Sequence, residues 1–199
     1  AFGPLALCLN NTGSNNIAVG CSALYGNIGG NSNVGIGYAT LLSNASGCGN
    51  IAIGCKSQWG AFSGSHNIAL GSCSLFINST GQYNIAVGCG ALRCNTIGSS
   101  NIGIGIHAGC DITTGVDNTV IGSLPAAAGC VCTVLIGAGA CERIRVDNTG
   151  LYINNTLVNT SGASAATPTS LGTVFGYTTG NGNNSFGCCA GNTTQTGSN

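Results

Sequence analysis

Apolar and polar residues return in the same order every 17 residues from Gly3 to Gly122. The most regular part of each copy reads Asn, apolar, small, apolar, Gly, as in Asn16-Ile17-Ala18-Val19-Gly20, Asn50-Ile51-Ala52-Ile53-Gly54 and Asn67-Ile68-Ala69-Leu70-Gly71. Alternation with period two over so short a span predicts a short strand in each copy, bounded by turns. Ile17 and Val19 point to one side and Ala18 to the other, where the chain accepts only Ala or Gly except at Val120. Beyond the strand, Ala23 recurs as Ala, Thr or Ser, and Leu24 recurs as Leu41, Leu75 and Leu92. If the copies stack in register, the columns headed by Ile17, Val19 and Leu24 form continuous apolar ridges, each coil burying what its neighbour cannot bury alone.

Two glycine columns punctuate the pattern, one running Gly3, Gly20, Gly37 to Gly122 and the other Gly13, Gly30, Gly47 to Gly115. Glycines fixed to a fixed period are the mark of a repeat architecture. They are expected where φ is positive or where no Cβ fits. Asn16, Asn33, Asn50, Asn67, Asn84, Asn101 and Asn118 form an unbroken column. Stacked at a turn, such residues can bond their own backbone and each other's amides, so they read as a structural ladder rather than an array of ligands. A softer column, Asn10, Asn27, Asn44, Asn78 and Asn95, has the same reading and is broken by Ala61.

The fold class expected is all-β, a parallel β-solenoid or triangular β-prism with 17-residue coils over residues 1–137. The period slips after Gly122, where Ser123 to Cys132 is rich in Ala and contains Pro125, and the strand pattern returns at Val134-Leu135-Ile136-Gly137. Residues 138–160 read as a hairpin-like junction. Half of the chain's charges crowd into Glu142-Arg143-Ile144-Arg145-Val146-Asp147, and a turn follows at Asp147-Asn148-Thr149-Gly150. Residues 161–172 have the composition of a Ser/Ala/Thr linker, and 173–199 return to the shaft motif. Both ends fall in mid-pattern, so the chain is expected to continue past them.

Composition narrows the classes. Of 199 residues, 35 are Gly and eight are charged, yet 43% are apolar and sit on fixed columns, which neither collagen nor a disordered linker requires. A net charge of zero with no basic run gives nucleic acid or an anionic membrane nothing to hold, and no apolar stretch is long enough for a membrane-spanning helix. The 13 Cys show no metal-binding spacing. Cys21, Cys55 and Cys89 are 34 residues apart. That separation is two coils, or about 9.6 Å at the usual strand spacing, beyond the roughly 7 Å a disulfide allows. These Cys are expected to be small buried residues or to pair with another chain. His66 and His107 have no carboxylate at a ligand spacing, and no nucleophile, base and acid recur together. No enzyme activity, cofactor or metal is expected.

A coil with about three large apolar side chains makes a thin core, and three chains sharing one axis would turn their inner faces into a common one. That argument predicts a homotrimer, with Trp59, in the column of Tyr25 and Phe76, and Arg143 and Arg145 as candidate interchain contacts. Asn10, Asn44 and Asn78 head sequons on one column and are candidate N-glycosylation sites.

The phrases Gly-Ser-Asn-Asn-Ile-Ala-Val-Gly-Cys-Ser-Ala-Leu at 13–24 and Gly-Gln-Tyr-Asn-Ile-Ala-Val-Gly-Cys-Gly-Ala-Leu at 81–92 resemble the shaft repeats of phage and large-virus tail fibres. They are also similar to head repeats of trimeric autotransporter adhesins. The resemblance covers about 1–137 and 173–199. It implies a homotrimeric shaft in an extracellular or virion-surface appendage, with attachment to a host glycan or protein through a tip outside this sequence. The abundant Cys depart from those families. The rival expectation is a solenoid that binds carbohydrate along its side, or ice through rows of Thr, although the Thr12 column runs Gly29, Ser46, Ser63, Thr80, Ile97 and Thr114 and keeps no Thr row.

Overall fold

The computed structural model describes residues 1–138 and 141–158. Seven three-residue strands, β1 (Ile17–Val19), β2 (Val34–Ile36), β3 (Ile51–Ile53), β4 (Ile68–Leu70), β5 (Ile85–Val87), β6 (Ile102–Ile104) and β7 (Thr119–Ile121), pair in parallel in chain order. Ile17 pairs with Val34, Val34 with Ile51 and Ile51 with Ile68, so each coil lies one 17-residue period above the last. The chain is a parallel β-solenoid, and its coils are numbered below from the glycine that opens each one (Gly3, Gly20 and so on to Gly105).

The glycines opening the coils have φ near +130° (Gly54, +129°), a conformation open to Gly and strained for any other residue. The second column is constrained differently. A Cβ on Gly47 would lie 2.2 Å from the Gly64 carbonyl oxygen and 2.4 Å from Asn44 Oδ1, so packing alone excludes a side chain there.

The interior is narrower than the sequence pattern implies. Ala18, Ala52, Ala69 and Ala86 point inward and are buried, together with Ala23 and the Leu24, Leu41, Leu75 and Leu92 column. The Ile17 and Val19 columns do form ridges, but they lie outside the coil: Ile17 is 53% exposed and Ile53 40%. The reason is the width of the coil. A Cβ added at Gly35 would stand 3.3 Å from Leu24 Cγ, so the strand's inward residue must be small because a Leu meets it across the interior. Val120 is the exception that proves the contact. Gly109 replaces the Leu in that coil, and a Cβ built on it would touch Val120 Cγ2 at 3.5 Å. Val120 and the buried Ile112 occupy the space the missing Leu leaves.

Past Gly122 the coil is two residues shorter, yet β8 (Val134–Ala138) still pairs in parallel with β7, Thr119 against Val134. The sheet then reverses. β9 (Cys141–Asp147) runs antiparallel to β8 across a bulge at Ile136/Gly137, and β10 (Gly150–Ile153) and β11 (Thr156–Val158) continue as antiparallel hairpins. The edge that another coil would occupy is thereby taken by β9. The Ser/Ala/Thr stretch 161–172 and the returning motif at 173–199 lie outside the described residues.

Candidate functional surfaces

The buried Asn column holds the coils together through both ends of each amide. Asn67 Oδ1 accepts the backbone N–H of Asn84 at 2.9 Å, and Asn67 Nδ2 donates to the Gly81 carbonyl at 2.9 Å. The same two bonds link Asn33 to coil three, through Asn50 N–H and Gly47 O, and Asn101 to coil seven, through Asn118 N–H and Gly115 O. Asn33, Asn50, Asn67, Asn84, Asn101 and Asn118 are fully buried, and Asn16 in the first coil is half-buried. At the short coil the row ends in Thr133, whose N–H still bonds Asn118 Oδ1 at 3.0 Å.

The second Asn column is also internal. Asn27 and Asn44 are fully buried, Asn44 Nδ2 donates to Asn27 Oδ1 at 2.8 Å and to the Gly47 carbonyl at 2.9 Å, and Asn78 Nδ2 donates to the Gly81 carbonyl at 2.9 Å. Asn44 and Asn78, read from the sequence with Asn10 as candidate glycan acceptors, thus lie inside the coil. The turn after Leu24-type residues carries this column back into the coil, where the nitrogen that would bear a sugar is donating to a carbonyl. Asn10 is half-buried, and its Nδ2 donates to Gly13 O at 2.8 Å. The row breaks where the sequence does: Asn44 Oδ1 faces Ala61 in the next coil, Asn95 Oδ1 faces Ile112, and both oxygens lack a partner.

Coil four is irregular in a second respect. Gln58 stands in the Leu column, fully buried, with neither Oε1 nor Nε2 bonded. It divides the apolar interior into one cluster containing Leu24 and Leu41 and another containing Leu75 and Leu92.

On the outside, the strands present two parallel aliphatic ridges. One runs Ile17, Val34, Ile51, Ile68, Ile85 and Ile102, and the other Val19, Ile36, Ile53, Leu70, Val87, Ile104 and Ile121, with no charged residue in either. Eight strands at about 4.8 Å make a face roughly 34 Å tall. A width near 10 Å gives a few hundred Å² in projection, the scale at which contiguous apolar surface marks an interaction site.

The aromatic column lies elsewhere on the coil. Trp59 stacks on Phe76 with centroids 5.3 Å apart and planes 9° from parallel, and the Arg93 guanidinium lies 5.7 Å from the Phe76 centroid. His66 stacks on Tyr83 in the same way, at 5.3 Å and 4°. Phe76 therefore has both faces engaged by its own chain. Trp59, singled out in the sequence as a candidate interchain contact, has one face on Phe76.

At the end of the stack, Leu124, Pro125, Cys130, Leu135, Glu142 and Arg145 line a concavity of about 460 Å³ between the short coil and β9. Arg145 is engaged within the chain: Nε meets Glu142 Oε1 at 3.1 Å, Nη1 meets Asp147, and the guanidinium covers the Tyr152 ring at 3.6 Å. Arg143 Nη1 reaches Asn154 Oδ1 at 3.4 Å. Arg145, singled out in the sequence as a candidate interchain contact, thus has partners on its own strand and the next. Bonds from the Thr149 hydroxyl and N–H, and then the Arg145 charge, hold the Asp147 carboxyl below its ordinary value.

The cysteines are the largest departure from the sequence reading. Cys21, Cys55 and Cys89 are exposed rather than buried, because their column lies on the outer side of the turn, next to the strand's last glycine. Among the described residues no three His, Cys, Asp or Glu gather as a metal site, and no helix is long and apolar enough to cross a membrane.

These features define a class: a repeat protein of parallel β-solenoid architecture with 17-residue coils, internal Asn ladders and one apolar outer face. Comparison with protein-family models, with curated proteins and with solved structures finds no match.

Proposed function

We propose that this chain is a structural shaft segment of an extended trimeric fibre or surface appendage that supports attachment to a host or surface. The observation that carries the reading is the uncharged aliphatic face on β1–β8. A sheet face of this kind is stable when covered, and three copies standing in register would cover all three faces with one dry core. The repeat favours register, since equivalent Ile residues would meet at equal heights along the axis. Stiffness then follows from hydrogen bonds running along the axis in every coil.

The resemblance to fibre and adhesin repeats supports the same reading. That resemblance implies an appendage outside a cell or on a virion, where it would hold an attachment element away from its base. The side-on carbohydrate reading gains nothing from Phe76, whose two faces are taken by Trp59 and Arg93. The test is electron microscopy of the purified chain beside Ile53→Asp, a change at a half-exposed position that spares the interior. Rods of uniform width that fall apart into small particles in the variant are the expected result. Compact particles in both samples would overturn the proposal.

A further inference from the structure

Cys94 and Cys110 lie in neighbouring coils, and the N–H of Cys94 donates to the carbonyl of Cys110 at 3.2 Å. Neighbouring coils stand about 4.8 Å apart and Cys110 is offset from the position directly above Cys94 by one residue, about 3.3 Å along the chain, which sets the two Cα atoms roughly 5.8 Å apart, inside the about 4.4–6.8 Å that a disulfide spans. Their side chains leave the coil on the same side. In coil six Ala91 and Leu92 face in, Arg93 and Cys94 face out, and Asn95 faces in; in coil seven Ala108 and Gly109 face in, Cys110 and Asp111 face out, and Ile112 faces in. Cys110 Sγ lies 3.5 Å from Asp111 Oδ1. Asp111 stands one period above Cys94, so this contact leans the Cys110 sulfur toward the Cys94 column.

The other candidates are less determinate. Cys73 donates its N–H to the Cys55 carbonyl at 3.0 Å, but Cys89 lies one coil away on its other side, so neither is its sole neighbour. Among the described residues Cys94 and Cys110 have no such competitor, since the other cysteine of their two columns, Cys8, belongs to the first coil.

We infer that Cys94 and Cys110 form an intrachain disulfide that staples coil six to coil seven when the chain meets a small-molecule disulfide, RSSR, as oxidant. The Cys94 thiolate attacks one sulfur of RSSR, forming Cys94–S–S–R and releasing RS⁻, which takes up a proton. Cys110 then loses its proton to solvent, its thiolate attacks Cys94 Sγ, the bond to R breaks, and a second RSH leaves. Two protein thiols are oxidised and RSSR is reduced to two RSH.

Burial, then the hydrogen bond and charge of Asp111, then the charge of Cys94, push the Cys110 thiol up to about 11. Ring closure needs the Cys110 thiolate, so burial and Asp111 slow it at neutral pH and it quickens as pH rises, while the charge of Cys94 no longer contributes once its sulfur is bound to R. Other charged groups stand off. Arg93, one coil below in the same column, lies over Phe76. His107 belongs to a different outward pair of coil seven, and the coil above presents Leu124 and Pro125.

The staple lies within one chain and holds or fails independently of any assembly. The purified chain is treated with excess oxidised glutathione at mildly alkaline pH, remaining thiols are alkylated, and a non-specific digest is read by mass spectrometry. A peptide pair joining Cys94 to Cys110, absent after dithiothreitol, is expected, with the denaturant midpoint rising on oxidation and falling on reduction. Cys110→Ser should leave Cys94 as a lasting glutathione adduct. Recovery of Cys94 and Cys110 of the unmodified sequence as free thiols after oxidation, or joined to other cysteines or other chains, would overturn the inference.

Discussion

Each Asn of the unbroken row works because its amide offers one acceptor and one donor at the right reach, and the next coil supplies one N–H and one C=O to meet them. Aspartate has the shape but, ionised, no donor. Asn67→Asp is therefore expected to cost about 3 kcal/mol or more at neutral pH, because it buries a charge and leaves the Gly81 carbonyl unpaired. The sign with pH is fixed by burial, which raises the folded-state carboxyl above its unfolded value. Once protonated, the substituted carboxyl can donate to the Gly81 carbonyl and accept from the Asn84 N–H. The variant therefore approaches the original stability below about pH 4 and loses it as pH rises through the carboxylate range. Urea titrations across pH check this; a variant equally stable at both ends would place Asn67 outside the ladder. The row itself was legible from seven equally spaced Asn. The burial of Asn44 and Asn78 was not, because a sequon reads the same whether its turn faces in or out.

At the scale of one coil, coil four tests how the interior is held. Its Gln58 and Ala61 invert the Leu and Asn found at the same places in coils two, three, five and six, leaving Asn44 Oδ1 and both Gln58 amide atoms buried and unbonded. Orphaned buried polar groups cost about 1–3 kcal/mol each. The double change Gln58→Leu with Ala61→Asn should join the two apolar clusters, complete the second ladder and raise unfolding free energy by about 1–3 kcal/mol in denaturant titration. A drop would mean that coil four is packed around Gln58 for a reason the ladder does not explain. The terminal hairpins obey different electrostatics. Asp147 is held below its ordinary value by Thr149 and Arg145. Its folded-state pKa is depressed, so its contribution is present above the unfolded carboxylate value and is lost as pH falls through the folded one. Hydrogen exchange should show β9–β10 loosening on acidification while β2–β6, tied by amides that do not titrate in this range, stays protected. Strand positions and the hairpins were legible from alternation and a turn. The side on which the alternation is buried was not, since period two says only that neighbours face opposite ways. Coil width decides, and that width is set by Leu24 and its counterparts meeting Ala18 and its counterparts across the interior.

At the scale of the whole molecule, the stack has one face that the described residues leave uncovered and one end closed by β9. The Ile17 and Val19 ridges, read from the sequence as part of the interior, become under the proposed function the interior of an assembly rather than of a chain. The ladders account for cohesion between coils, so the proposed trimer rests on the aliphatic face alone. Sedimentation equilibrium of the purified chain at micromolar concentration tests this most directly. The account predicts a single species of three times the chain mass, and a stable, soluble monomer at that concentration would contradict it.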